Sequence, residues 1–198
     1  MWENRKKNDI GNDCLISVDG VDCGCLGKKL PNGLINKAWY SHKFKGPGLR
    51  YEVAISILGG DIVWINGPYM PGDWNDLVIF RDGLLQALEE FERVEADDIY
   101  RGECPRYVKC PCGIVTNPES RERMQHRVGL RHETVNERLK NYRCLEERFR
   151  HGIKKHSACF RAVAVLTQLA IESGEALFDV REYNDELTDD DVRNVLGL

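Results

Sequence analysis

The fold is decided by the stretch Leu49-Arg-Tyr-Glu-Val-Ala-Ile-Ser-Ile-Leu58, which is the clearest strand in the chain. It is rich in β-branched residues, and Gly59-Gly60 closes it, as is typical of a strand that ends in a tight turn. A second apolar stretch, residues 62–65, follows at hairpin distance, and residues 14–19 form a short apolar stretch upstream. The first half of the chain therefore predicts three sequential strands in an antiparallel meander.

After this meander the sequence pattern changes from that of strands to that of helices. Apolar residues recur at the spacing of one helical face over residues 75–90, which predicts a helix with Asp73 as its N-cap. Residues 93–97 predict a fourth strand, and the prolines and cysteines of residues 102–118 predict a loop. Two helical regions follow over residues 119–149 and 157–172, the second apolar on most sides and so expected to be buried. This order predicts an α/β protein whose mixed sheet has helices on both faces.

The composition fits one folded domain, since the chain has 198 residues, of which 42% are hydrophobic and 30% charged. No apolar stretch approaches the ~20 residues that a membrane-spanning helix needs. The charged N-terminus has no apolar stretch behind it, so we expect no secretory signal. Eight cysteines without a signal predict reduced thiols in the cytosol or nucleus.

The formal net charge of −4 hides a strong asymmetry. Residues 119–161 carry 12 Lys or Arg against 6 acidic residues, whereas residues 175–198 carry 8 acidic residues against two arginines. The basic segment could attract a phosphate backbone, although a solvated helix face with paired charges is an equal alternative. We expect an N-terminal extension over residues 1–12, the folded domain over residues 13–174 and an acidic tail over residues 175–198.

Two carboxylates follow predicted strands, Asp19 after the first and Asp97 after the fourth. If these strands were neighbours, the two side chains would converge and each would disfavour the ionised form of the other. A divalent cation removes that conflict, and Mg²⁺ commonly binds a few carboxylates while keeping positions for water and phosphate. For either residue alone, an aspartate that shapes a turn is the more frequent interpretation.

Five motifs occur along the chain in a recognisable order. They are Ser17-Val-Asp-Gly-Val-Asp22, Trp39-Tyr-Ser-His-Lys-Phe-Lys45, Pro71-Gly-Asp-Trp-Asn-Asp76, Ala96-Asp-Asp-Ile-Tyr100 and Arg131-His-Glu-Thr-Val-Asn-Glu-Arg-Leu-Lys140. In this order they resemble the DDE superfamily endonuclease domain of PIF/Harbinger-type transposases, which is related to bacterial insertion-sequence transposases. The resemblance implies a ribonuclease H-like fold and a nuclease and strand-transfer site that binds two Mg²⁺ or Mn²⁺ ions.

Matched position by position, the resemblance implies that Asp19, Asp97 and Glu133 are the catalytic acids and metal ligands, with Asp76 as an auxiliary acid. Thirty-five residues stand between Asp97 and Glu133, a spacing familiar from DDE enzymes. Helical periodicity alone cannot choose between Glu133 and Glu137, because they share one face. The apolar stripe of the same helical region lies nearly opposite, which predicts either an irregular helix near Arg131 or packing of the stripe against the last helix.

The resemblance further implies DNA as partner, with a nuclear location, or a cytoplasmic one in a bacterium. A separate DNA-binding partner protein and a homo-oligomer are both compatible with it. Such transposases usually carry an N-terminal helix-turn-helix, and only 18 residues precede Asp19, so we expect either a fragment or a domesticated remnant. The alternative function is therefore a catalytically inactive, transposase-derived module that binds DNA or protein.

Cations of the basic segment suit contacts with the DNA backbone, which position DNA without reading its sequence. The predicted contacts are Arg121, Arg123, Arg127, Arg131, Arg138, Lys140 and Arg143.

Three cysteines of the predicted loop, Cys104, Cys110 and Cys112, could bind zinc with His126 or His132 as a fourth ligand. Structural zinc sites typically use ligand pairs two to four residues apart, and Cys110 and Cys112 are closer than that. Reduced loop cysteines are therefore the default prediction, and zinc is not expected. His132 is interpreted as a surface histidine.

Overall fold

The computed structural model of the protein describes residues 1–7, 14–114 and 117–178. Most of the predicted acidic tail and the second part of the predicted N-terminal extension lie outside these residues. The first part of the extension contacts the domain: Arg5 is buried, and its guanidinium donates to the Glu92 carboxylate at 2.8 Å and to the Glu89 carboxylate at 2.7 Å.

A mixed sheet of six strands forms the centre of the fold. The strands are β1 (Cys14–Gly24), β2 (Tyr40–Ser41), β3 (Gly46–Ser56), β4 (Ile62–Tyr69), β5 (Arg93–Glu95) and β6 (Val108–Lys109). Their order is β2-β3-β1-β5-β6, and β4 also pairs with β3. The pairs β1–β3 and β3–β4 are antiparallel, which confirms the predicted meander, whereas β1–β5 and β5–β6 are parallel.

Helices cover both faces of the sheet, as predicted. They are α1 (Asp76–Asp82), α2 (Leu84–Ala87), α3 (Pro111–Ile114), α4 (Pro118–Lys140), α5 (Arg143–Glu146) and α6 (Ile153–Glu172). Side chains alternate between the faces along β3, so Tyr51 and Val53 contribute to the core that includes residues of α4, α5 and α6. Ala54 contributes to the opposite core, which includes Phe80 of α1. This layered mixed sheet is an α/β ribonuclease H-like fold.

Several predicted boundaries were wrong, mostly because pairing extended the strands. β1 continues to Gly24 because its second half pairs with β3, and β3 begins at Gly46, inside the predicted turn. β4 runs to Tyr69, past the predicted stop at Asn66, because it stays paired with β3 across a register shift.

The helical predictions also need correction. The helix predicted over residues 75–90 is divided into α1 and α2 at Gly83, and its N-cap is Asn75, whose side chain accepts from the Val78 N–H at 2.9 Å. The predicted loop over residues 102–118 contains β6 and α3. The helix predicted over residues 119–149 ends at Lys140.

Helix α6 is not buried on most sides, contrary to the prediction. Phe160 and Val163 lie in the core, but Val165, Leu166 and Leu169 are about half exposed. Among the described residues, no helix is long and apolar enough to cross a membrane.

Candidate active site

The register of two parallel strands brings the first two predicted acids together. Ser17 of β1 is paired with Glu95 of β5, and Asp19 and Asp97 each lie two residues beyond that pair. Residues two apart in a strand share a face, so Asp19 projects from the face that Ser17 occupies. The convergence predicted from the sequence therefore arises from direct pairing of β1 with β5.

Asp97 also starts the next turn of the chain. Its Oδ1 accepts from the Ile99 N–H at 3.0 Å and caps a 3-10 helix, Asp98–Glu103. Burial, followed by the charge of Asp19, raises the pKa of Asp97 to about 6. The two carboxylates therefore repel each other, which is the conflict that a bound cation relieves.

Side-chain hydrogen bonds join helix α4 to the strands that lead to these two acids. Nε2 of His132 lies 2.9 Å from the Ser17 Oγ, and the Arg131 guanidinium donates to the Glu95 carboxylate. Arg127 donates to the same carboxylate at 2.9 Å. Both anchoring residues of the sheet, Ser17 and Glu95, lie two residues before a predicted catalytic acid.

The two pairs that join α4 to the sheet, His132 with Ser17 and Arg131 with Glu95, are buried. Their surroundings determine the charge states of His132 and Glu95. Burial lowers the pKa of His132 to about 4, so its ring is neutral near pH 7. Burial alone would raise the pKa of Glu95, but the guanidinium groups of Arg131 and Arg127 outweigh it and lower that pKa. His132 is 2% exposed, so its interpretation as a surface histidine was wrong.

A single face of α4 points into a cavity of about 490 Å³ at the acids. Asp19 and Asp97 line this cavity, and Glu133 lines it from α4 together with His126 and Glu122. Together with Gly129, which also lines the cavity, these α4 residues recur every three to four positions along the helix, as expected of one face. Glu137 is exposed and does not line the cavity, so of these two residues, which helical spacing could not distinguish, Glu133 is the one that lines it.

The apolar stripe of α4 takes the second of the two predicted arrangements. Helix α4 is continuous from Pro118 to Lys140, and Val135 and Leu139 lie in the same core as Phe160 of α6. The stripe thus packs in the core with the last helix while Glu133 faces the acids.

Asp76 is not among the residues that line the cavity. It is buried, and its Oδ1 approaches Gly20 so closely that a Cβ atom at that position would lie 2.1 Å away. Arg50 approaches the same oxygen at 3.4 Å. Burial raises the pKa of Asp76, although Arg50 and Lys43 oppose this. Asp76 therefore does not line the cavity, although its charge contributes to raising the pKa of Asp97.

Lys43 was not predicted as a site residue, although it lies in one of the five motifs. Its Nζ donates to the Gly20 carbonyl at 2.9 Å and lies 3.4 Å from Asp19 Oδ1. Burial alone would lower the pKa of Lys43, but the carboxylates of Asp19 and Asp76 outweigh it and raise that pKa. A cation at this position balances part of the negative charge of the site.

Replacing Gly20 with alanine is expected to destabilise the protein by roughly 1–3 kcal/mol, because the added methyl overlaps the Asp76 carboxylate in a packed region. Denaturant unfolding of the variant measures this effect. Gly129→Ala is the control, because a Cβ at Gly129 meets no atom within 4 Å. Equal stability of Gly20→Ala and the parent would show that the contact is not tight.

The residues around the cavity suit divalent cations. Carboxylate oxygens are the ligands that Mg²⁺ and Mn²⁺ prefer, and Asp19, Asp97 and Glu133 supply three of them around one space. Within the described ranges, these three do not form a cluster whose ligand oxygens all lie within 4.8 Å of one another. The arrangement is therefore wider than a cage for a single ion.

The sequence of this chain matches a protein-family model over most of its length. The model described as DDE superfamily endonuclease matches residues 18–168. The chain belongs to the DDE superfamily endonuclease family. Searches among curated proteins and among solved structures found no match. The family match extends from β1 to α6 of this DDE endonuclease domain. It includes the four acids predicted for the site, Asp19, Asp76, Asp97 and Glu133.

The cations predicted to contact DNA are not equally available. Arg131 is 1% exposed and bound to Glu95, so its predicted contact with the DNA backbone is corrected to a structural role. Arg127 shares that carboxylate. Arg123 is exposed, and Arg121 is half exposed at 3.7 Å from Asp98.

The remaining predicted cations lie farther along the chain. Arg138 pairs with Glu175 at 3.1 Å, and Arg143 pairs with Glu147 at 2.7 Å on the surface. Lys140 is partly buried at the end of α4. These pairs correspond to the paired-charge alternative considered from the sequence.

Proposed function

We propose that this DDE endonuclease domain is the catalytic domain of a PIF/Harbinger-type transposase, which hydrolyses and transfers DNA phosphodiester bonds. The observation that carries the proposal is that Asp19, Asp97 and Glu133, which are remote in sequence, line one cavity. DNA is its substrate, and we expect it to act in the nucleus, or in the cytoplasm of a bacterium.

In this proposal Asp19, Asp97 and Glu133 hold two Mg²⁺ or Mn²⁺ ions. When bound, such ions activate the attacking oxygen and stabilise the leaving oxygen. For nicking, a water molecule gives up a proton as its oxygen bonds to phosphorus, the bond from phosphorus to the 3′-oxygen breaks, and that oxygen takes up a proton. For joining, the released 3′-hydroxyl attacks a phosphorus of the target strand and displaces its 3′-oxygen in the same way.

Other side chains would position the reacting groups. Lys43 orients the Asp19 carboxylate by donating to it. Arg121 and Arg123 lie on α4 on either side of the lining residue Glu122, and we propose that they contact phosphates. Neutral His132 keeps α4 on the sheet through Ser17 and thereby places Glu133.

Nicking of supercoiled plasmid in Mg²⁺ or Mn²⁺ tests the proposal. We expect Glu133→Gln to reduce the nicking rate on the order of 10²-fold or more, because losing one group that supports stabilisation of the transition-state charge costs about this much. Glu137→Gln, one turn later on α4 and outside the cavity, is the matched control and is expected to nick at the parent rate. Equal losses in both variants would show that Glu133 has no special role.

The same assay separates the proposal from the inactive-module alternative. DNA binding that weakens steeply with salt, without nicking in either metal, would assign the chain to that alternative. Addition of a separate DNA-binding protein, and measurement of the oligomeric state on DNA, would test the two proposed kinds of partner.

A further inference from the structure

We propose that Asp98, Cys110 and Cys112 form a second metal site, of the thiolate type, that takes Zn²⁺. One oxygen and two sulfur atoms of these residues all lie within 4.8 Å of one another. The sequence analysis considered zinc bound by Cys104 and a histidine together with these cysteines but did not expect it; neither Cys104 nor a histidine belongs to this cluster, in which an aspartate takes the third position.

The distance between the two sulfurs fits one tetrahedral ion. Two thiolates, each ~2.3 Å from a tetrahedral zinc, lie ~3.8 Å apart. Sγ of Cys110 lies 3.8 Å from Sγ of Cys112. The short spacing of the two cysteines in sequence is therefore no obstacle, because the chain turns into α3 between them.

The backbone already holds the third ligand in place. The Cys112 N–H donates to Asp98 Oδ1 at 2.8 Å, which fixes the carboxylate beside the thiols. Cys110 is fully buried, whereas Cys112 and Asp98 are partly exposed, so an ion can enter from one side and keep a water or another ligand in its fourth position.

The charge of the surroundings is also compatible. Two thiolates and one carboxylate around Zn²⁺ leave one net negative charge, and the Arg121 guanidinium lies 3.7 Å from Asp98 to balance it. Cysteine thiols bind zinc as thiolates, so binding releases protons and should weaken as the pH falls.

The position of the site indicates what it does. Asp98 directly follows the catalytic candidate Asp97, and the two cysteines follow β6, which pairs with β5. A bound ion would join the chain after β5 to the chain after β6 and so brace the turn that carries Asp97. Unlike the carboxylate cavity, this site uses sulfur ligands and does not depend on the proposed nuclease function.

The test uses the whole chain, purified with a non-thiol reductant and freed of metal. Addition of Co²⁺ is expected to produce a thiolate-to-cobalt charge-transfer band that saturates at one equivalent, and Zn²⁺ is expected to remove the band and to raise the melting temperature. Cys112→Ser should abolish the band, and Asp98→Asn should weaken cobalt binding by tenfold or more. Circular dichroism establishes that each variant is folded.

Two further variants keep the test specific. Cys104→Ser is the matched control from the same segment and is expected to retain the band, as is Asp19→Asn, which alters only the carboxylate cavity. The absence of a band in the folded parent chain, its survival in Cys112→Ser or its loss in Cys104→Ser would each overturn the assignment. So would a disulfide between Cys110 and Cys112 that forms in place of metal binding.

Discussion

Asp97→Asn is expected to lower the rate of plasmid nicking on the order of 10³-fold while leaving the fold intact. The loss follows because a carboxylate that holds a metal in such a site supports several kcal/mol of transition-state stabilisation. Asparagine still offers an oxygen that accepts from the Ile99 N–H, so the cap of the following 3-10 helix is kept. Nicking rates at saturating Mn²⁺ measure the effect.

The same variant is expected to be more stable than the parent when metal is absent. The pKa of Asp97 is raised from its ordinary value of 3.8 to about 6, so the folded protein binds this proton more tightly than the unfolded chain does. The free energy of unfolding contributed by this group therefore falls as the pH rises from about 4 to 6 and stays low above that range. An asparagine side chain cannot ionise, so the variant should lack this fall.

Denaturant unfolding at several pH values, with a chelator present, checks the stability expectation. Addition of Mn²⁺ should then stabilise the parent more than the variant, because only the parent has the full set of carboxylates. A variant that nicks at the parent rate would rule out the proposed site. A variant that loses activity and also unfolds would instead indicate a structural role for Asp97.

Much of the fold could be predicted from local patterns. The β-branched stretch around Val53 indicated the central strand, and helical spacing indicated α1, α4 and α6, because these patterns depend on one face of one element. The ends of β1 and β4 could not be predicted, since pairing with β3 extended them through residues of low strand preference, Gly20 and Gly67 among them.

The candidate site could be predicted only in part. The ordered motifs indicated Asp19, Asp97 and Glu133, which line one cavity, and their catalytic role stays a prediction. Lys43 and His132 were missed as anchors because their roles depend on which strand and helix meet in space. The cluster of Asp98 with Cys112 was missed for the same reason: it joins segments that follow different strands.

Glu95→Gln is expected to destabilise the protein by roughly 3–5 kcal/mol, the range found when one partner of a buried ion pair is removed. The change preserves the shape of the side chain but leaves the buried Arg131 charge, with Arg127 beside it, facing a neutral amide. Because the pKa of Glu95 is lowered, its stabilising contribution is present above pH 4.5 and is lost as the pH falls through the folded pKa. Denaturant unfolding near pH 7 measures the full effect.

The matched control removes an ion pair on the surface. Arg143 and Glu147 are exposed and one helical turn apart, so Glu147→Gln is expected to change the stability little. Arg131→Met combined with Glu95→Gln should be less destabilised than the sum of the single variants, by about 0.5–3 kcal/mol, because the double variant leaves fewer uncompensated charges. Additive effects would show that the two residues do not depend on each other.

The buried pair of Arg131 and Glu95 should also determine the position of Glu133 relative to Asp97. Arg131 is two residues before Glu133, and Glu95 is two residues before Asp97, so the pair joins the two elements that carry these acids. A shift of α4 relative to β5 would therefore move Glu133 away from Asp97 before the domain unfolds. We expect Glu95→Gln to lose nicking activity, and Mn²⁺ to stabilise it less than the parent, at temperatures where circular dichroism still reports a folded chain. Retention of both properties in the folded variant would mean that the pair supports the fold without positioning the site.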